Sequence, residues 1–106
     1  MQPLILYATW PDAAAAEACA AALIEARLAA CVTILPAARS TFRWNEKIII
    51  EAESLMLAKT TLAQAAAARE LIAARHPYEI PCILGISIDS NNSDASYLAW
   101  LAGETR

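Results

Sequence analysis

Arg39-Ser40-Thr41-Phe42-Arg43-Trp44-Asn45-Glu46-Lys47-Ile48-Ile49-Ile50 is the stretch that decides the fold. Up to Trp44 it alternates: Ser40, Phe42 and Trp44 fall on one face, Arg39, Thr41 and Arg43 on the other, which is the period of a strand. Asn45-Glu46 can turn the chain, since asparagine tolerates positive φ. The return arm runs from Lys47 to about Lys59 and puts Glu51 and Glu53 on the face of Ile49, Leu55 and Leu57. The outgoing arm begins near Cys31 and passes through Val32, Thr33, Ile34 and Leu35 before Pro36 interrupts it, which predicts a bulge or an edge position. About thirteen residues of return arm span roughly 43 Å at a rise of about 3.3 Å. A compact domain of this length has a radius of gyration of about 13 Å, hence a diameter of roughly 33 Å. The hairpin should therefore overhang the body. Its tip carries Phe42, Trp44, Ile48, Ile49 and Ile50, an aggregation hazard unless a partner covers it, so oligomerisation is expected. The competing geometry is a strongly bent hairpin folded back on its own sheet.

Working outward, Leu4–Thr9 reads as a first strand, and Pro11 with Asp12 suits the first turn of a helix. That helix is expected to run to about Ala29, with Ala16, Ala20, Ile24 and Leu28 recurring every four residues and Leu23 beside them. Beyond the hairpin, Thr61-Leu62-Ala63-Gln64 has the spacing of a capping box. The helix it starts ends at Arg75 and His76, because Pro77 excludes His76 from helical geometry. Cys82–Ile88 reads as a buried strand, with Cys82 facing inward beside Leu84, Ile86 and Ile88. Asp89–Ser93 is a loop, and Asn92 or Ser93 caps a last helix, Asp94 to Ala102, ended by Gly103. In that helix Tyr97, Trp100 and Leu101 share a face. The order β-α-β-β-α-β plus a terminal helix predicts an α+β, ferredoxin-like fold: a four-stranded antiparallel sheet with two helices on one face. Such a fold carries no chemistry by itself.

Composition narrows the function. The chain has 106 residues, 58% of them apolar, and a net charge of −3; a single domain, 1–106, is expected. No basic stripe favours nucleic acid. No run is long enough to span a membrane. Met1–Tyr7 lacks the basic and apolar regions of a signal peptide, so a cytoplasmic protein is expected. Cys19, Cys31 and Cys82 are odd in number and lack a Cys-x-x-Cys pair, which argues against a disulfide framework and a zinc knuckle.

The chemistry concentrates in the elbow His76-Pro77-Tyr78-Glu79-Ile80-Pro81. His76 is the only histidine, and the two prolines fix the backbone around it. Imidazole is the commonest copper ligand, a thiol suits Cu(I), and Cys31 is the best-placed thiol. Glu79 is near enough in sequence to orient the ring or join the site. His76, Cys31 and Glu79 are therefore the candidate metal ligands and copper the candidate ion. The plainer alternative is a helix stop and a strand entry, with Cys31 a small buried residue. Catalysis is not expected: there are two glycines in all, no phosphate loop, and no oxyanion donor beside a Cys31–His76 pair. Arg39 and Arg43, with Lys47 nearby, can meet a small anion or Glu51 or Glu53 of a neighbouring subunit; a solvated face is the plainer reading.

Six blocks carry a resemblance across nearly the whole chain: Thr9-Trp10-Pro11-Asp12, Arg27-Leu28-Ala29-Ala30-Cys31-Val32, Trp44-Asn45-Glu46-Lys47-Ile48, Lys59-Thr60-Thr61, the elbow, and Tyr97-Leu98-Ala99-Trp100-Leu101. In order and spacing they resemble the CutA family of divalent-cation tolerance proteins. The resemblance implies a cytoplasmic homotrimer of ferredoxin-like subunits joined through long strands. It further implies a non-enzymatic role in tolerance to copper and other divalent metals, with copper binding in some members. It also implies a likeness to PII signalling trimers, hence an alternative role as a regulatory or scaffold module binding a metabolite or protein between subunits. Ala8 stands where some members have cysteine, Arg75 where some have a second histidine, Thr33 where asparagine is common, Glu46 where glycine is usual, and Cys82 where glutamate is frequent. His76 is what remains of that ligand constellation.

Overall fold

The computed structural model describes residues 1–106. Its elements are β1 (Pro3–Trp10), α1 (Ala13–Glu25), β2 (Cys31–Trp44), β3 (Lys47–Thr61), α2 (Leu62–Arg75), β4 (Ile83–Ser87) and α3 (Ala95–Glu104), with a 3-10 turn at Ser90–Asn92. The strands form one antiparallel sheet in the order β2-β3-β1-β4, the expected ferredoxin-like arrangement. Even-numbered positions of β1 and β3 (Leu4, Leu6, Ala8, Trp10, Met56, Ala58) pack against Ala16, Cys19 and Leu23 of α1 and Ala68 and Ile72 of α2. Small side chains on both helices let them lie close to the sheet.

The hairpin closes with Trp44 opposite Lys47, and Asn45 and Glu46 both take positive φ, 50° and 65°. These are the signs of a type I′ turn, whose twist matches that of the strands. Both alternatives that Pro36 signals are present. β2 is an edge strand, and the register shifts between Leu35 and Ala38, with Ala37 at φ 64°. Two residues of β2 there oppose one of β3, a bulge. β1 covers β3 only from Ser54 to Thr61, so residues 47–53 pair with β2 alone. The ribbon overhangs, and the molecule measures 45 × 28 × 22 Å.

Several expectations give way. α1 stops at Glu25 rather than near Ala29, because Arg27 turns left-handed (φ 57°) and closes the helix with Arg27 N–H to Ile24 O (3.0 Å) and Leu28 N–H to Leu23 O (2.9 Å). That is a Schellman closure with arginine where glycine is usual. The buried face of α1 is Ala16, Cys19 and Leu23, and Ile24 is exposed. Thr61 is the N-cap of α2 but its side chain caps nothing, so no capping box forms. Asp94, not Asn92 or Ser93, caps α3, accepting from Tyr97 N–H, and Gly103 lies inside the last turn. β4 is an edge strand rather than a buried one: Leu84 and Ile86 share a face with Ile5 and Tyr7, on the side that α1 and α2 leave bare, and Leu84 is 56% exposed. Cys82 is likewise exposed.

Candidate functional site

The elbow begins where α2 ends. His76 takes extended backbone (ψ 134°) at the C-cap, as the following proline requires. Its imidazole is buried and stacked on Trp10, with ring centroids 4.3 Å apart and 25° between planes. Nε2 lies 2.7 Å from Thr9 O, and Nδ1 accepts from Tyr78 N–H at 3.2 Å. A carbonyl can only accept, so Nε2 carries the proton and the ring is the neutral Nε2–H tautomer. Both nitrogens are thereby engaged. The indole Nε1 of Trp10 is buried without a hydrogen-bond partner.

The elbow then folds over the bare side of the sheet. The Tyr78 hydroxyl donates to Glu53 Oε2 at 3.4 Å. Burial first, then the Glu53 carboxylate and its hydrogen bond, then Glu51 and Asp12, hold the Tyr78 phenol above its usual pKa. Glu53 is 8% exposed, unusual for a carboxylate. Between elbow and overhang lies a cleft of about 710 Å³, whose walls include Tyr7, Phe42, Trp44, Glu51, Glu53 and Glu79. A volume of this order is usual for a binding cleft.

The three candidate metal ligands are not gathered in one chain. His76 sits on Trp10, toward the helix-covered side, while Glu79 is exposed and lines the cleft. Cys31 pairs with Lys59, in the row of Ile5, four positions along from Thr9 and two strands across. That is about 13 Å along and roughly 10 Å across the sheet. There the Lys59 ammonium donates to Cys31 Sγ (3.5 Å) and to Thr33 Oγ1. Tyr97 of α3 reaches the same thiol, and burial, then Cys31, raises its phenol. No group of three His, Cys, Asp or Glu side chains stands close enough to hold a metal ion. The sequence pointed to Tyr78 and to Glu51 and Glu53 but not to their meeting, nor to Trp10 as the platform under His76. Only the shared strand face of the two glutamates hinted at the cleft.

Residues 4–104 match the family described as CutA1 divalent ion tolerance protein. The chain belongs to that family. The divalent-cation tolerance protein CutA of Pectobacterium atrosepticum is 38% identical over 103 residues, 97% of this chain and 92% of that protein. The crystal structure of CutA from Xylella fastidiosa superposes with a TM-score of 0.95 at 35% identity, covering 100% of both chains. A CutA from Archaeoglobus fulgidus, described as periplasmic, gives 0.92 at 35% identity over 98% of this chain and 99% of that one. The CutA scaffold is thus present from end to end, overhang and elbow included.

Proposed function

We propose that this chain acts in divalent-cation tolerance as a non-enzymatic homotrimer in the cytoplasm. The observation that carries the assembly is the bare side of the sheet. There Leu35, Phe42, Trp44, Leu84 and Ile86 stay exposed in one chain, an apolar surface of the kind that marks an interface. The names of the relatives support the tolerance role, and the three free cysteines suit a reducing compartment.

Copper is the proposed ion, with His76, Cys31 and Glu79 as donors. Because one chain separates them, a site built from these residues lies between subunits. Because both nitrogens of His76 are engaged, coordination displaces one of its hydrogen bonds, and affinity is accordingly modest. Calorimetry with Cu, Zn and Mg on wild type, His76→Asn and Cys31→Ser tests this, with thermal unfolding run alongside. Copper should bind more tightly than magnesium, and His76→Asn should lose it while staying folded. Copper binding unchanged in both variants would make the elbow purely structural.

The cleft favours a second reading, a PII-like module taking a metabolite or protein partner at the subunit border. In that case ligand binding survives His76→Asn and Cys31→Ser and responds to substitutions in the cleft.

A further inference from the structure

Cys31 and Lys59 are partners across β2 and β3 at the base of the hairpin, in the row that Ile5 continues, so their side chains leave the sheet on the side opposite α1 and α2. The Lys59 ammonium donates to Cys31 Sγ at 3.5 Å and to Thr33 Oγ1. Tyr97 of α3, which packs on β3, bonds to the same sulfur. Lys59 is half-buried yet has no carboxylate partner, since the chain's one ion pair is Arg27–Glu104. An ammonium withdrawn from water ordinarily takes an acid. Here it is held against a thiol instead.

That contact sets the fate of the thiol on oxidation. Cys31 is half-buried rather than enclosed, so a small oxidant reaches it. The first product is a sulfenic acid, which condenses with a neighbouring thiol or nitrogen. No thiol of the chain is within range. Cys19 is fully buried on α1, on the other side of the sheet. Cys82 precedes β4, three strand spacings from β2, or about 14 Å. A disulfide needs Cα atoms within about 7 Å. The nitrogen already in contact is Lys59 Nζ, on a flexible four-carbon stem.

We propose that Cys31 and Lys59 close a reversible sulfenamide bridge when the protein meets a hydroperoxide. The Cys31 sulfur attacks the peroxide and its O–O bond breaks. The thiol becomes a sulfenic acid, and the peroxide leaves as an alcohol, or as water from hydrogen peroxide. Lys59 Nζ, after giving one ammonium proton to water, attacks the oxidised sulfur. The S–N bond forms, the S–O bond breaks, and the hydroxyl departs as water with a second Nζ proton. Thiol and amine together lose two hydrogens and two electrons, which the hydroperoxide takes up. An added thiol reverses the step, leaving as its own disulfide and freeing the amine. The bridge joins positions 28 apart and fastens the base of the hairpin. It also withdraws Cys31 from the copper site proposed above, but it does not rest on that site: a chain that binds no copper still closes it.

Mass spectrometry tests the bridge on the Cys82→Ala chain, which lacks the exposed thiol. After an equimolar amount of hydrogen peroxide, without reductant, the intact chain should be lighter by about 2 Da. Trypsin should no longer cut after Lys59, and peptides 28–39 and 48–69 should travel as one species. Dithiothreitol should undo all three changes. Lys59→Arg in the same background keeps the positive charge without the amine, so it should gain oxygen and yield no linked peptide. A Lys59-containing chain that only gains oxygen, that is still cut after Lys59, or that joins Cys31 to a second Cys31 would overturn the proposal.

Discussion

His76 shows how one side chain joins three segments. Its ring ties the end of α2 to Thr9 of β1, lies on Trp10, and holds Tyr78 N–H at the start of the elbow. The proline after it made the helix stop legible, but the stacking partner sits sixty-six positions earlier and nothing local announces it. Cys19 presents a simpler case: fully buried in α1, its thiol is pushed up to about 11 by burial, against a smaller opposing effect of Arg75. In the folded protein it should resist alkylation at pH 8, where roughly one thiol in a thousand would be ionised, while Cys82 reacts wherever it stays accessible. The raised value means the folded state holds this proton more tightly than the unfolded chain. Its contribution to stability is therefore full below pH 9 and lost as pH rises toward 11. The stability difference between wild type and Cys19→Ala should narrow across that window in denaturation midpoints. Glu46, at φ 65° in the turn, is strained where glycine would not be. Glu46→Gly should raise stability by about 1 kcal/mol, read as a higher urea midpoint.

At the scale of elements, the hairpin was the most legible part of the chain. Alternation set its faces, Asn45 its turn and Pro36 its bulge, all local signals. α1 was less legible because alanine occupies its covered and uncovered positions alike, so its buried stripe is decided by what packs on it. Its end was hidden because arginine, not glycine, takes the left-handed position. The two helix starts make a paired test. Asp12 accepts from Ala15 N–H at 2.8 Å, whereas the Thr61 hydroxyl caps nothing. Asp12→Ala should therefore destabilise by about 1 kcal/mol, and Thr61→Val, which keeps the shape of a buried side chain and removes no cap, should cost clearly less. Equal losses in the two denaturation curves would mean that the apparent capping box does form in solution. β4 departs from its expected burial for a different reason. A continuous apolar run implies burial on both faces without saying which chain supplies the cover, and in one copy the side bearing Leu84 and Ile86 is bare.

Across the whole molecule, the sheet side opposite α1 and α2 is covered by α3 at its Cys31 end, while Leu35, Phe42, Trp44, Leu84 and Ile86 stay exposed on it beside the ribbon and the cleft. The overhang itself could be foreseen, since chain length against domain diameter is simple geometry. The cleft could not, because it depends on the elbow reaching Glu53, a contact across twenty-five positions. In the proposed trimer two further copies cover this surface. Trp44, at the tip and 49% exposed in one chain, should be buried in that contact, so Trp44→Glu should weaken assembly by placing a charge against apolar groups. Sedimentation equilibrium at micromolar protein tests the claim most directly. Wild type should run at three times the 11.4 kDa chain mass, and Trp44→Glu should shift toward the monomer. A wild-type chain that remains soluble at the monomer mass would contradict it.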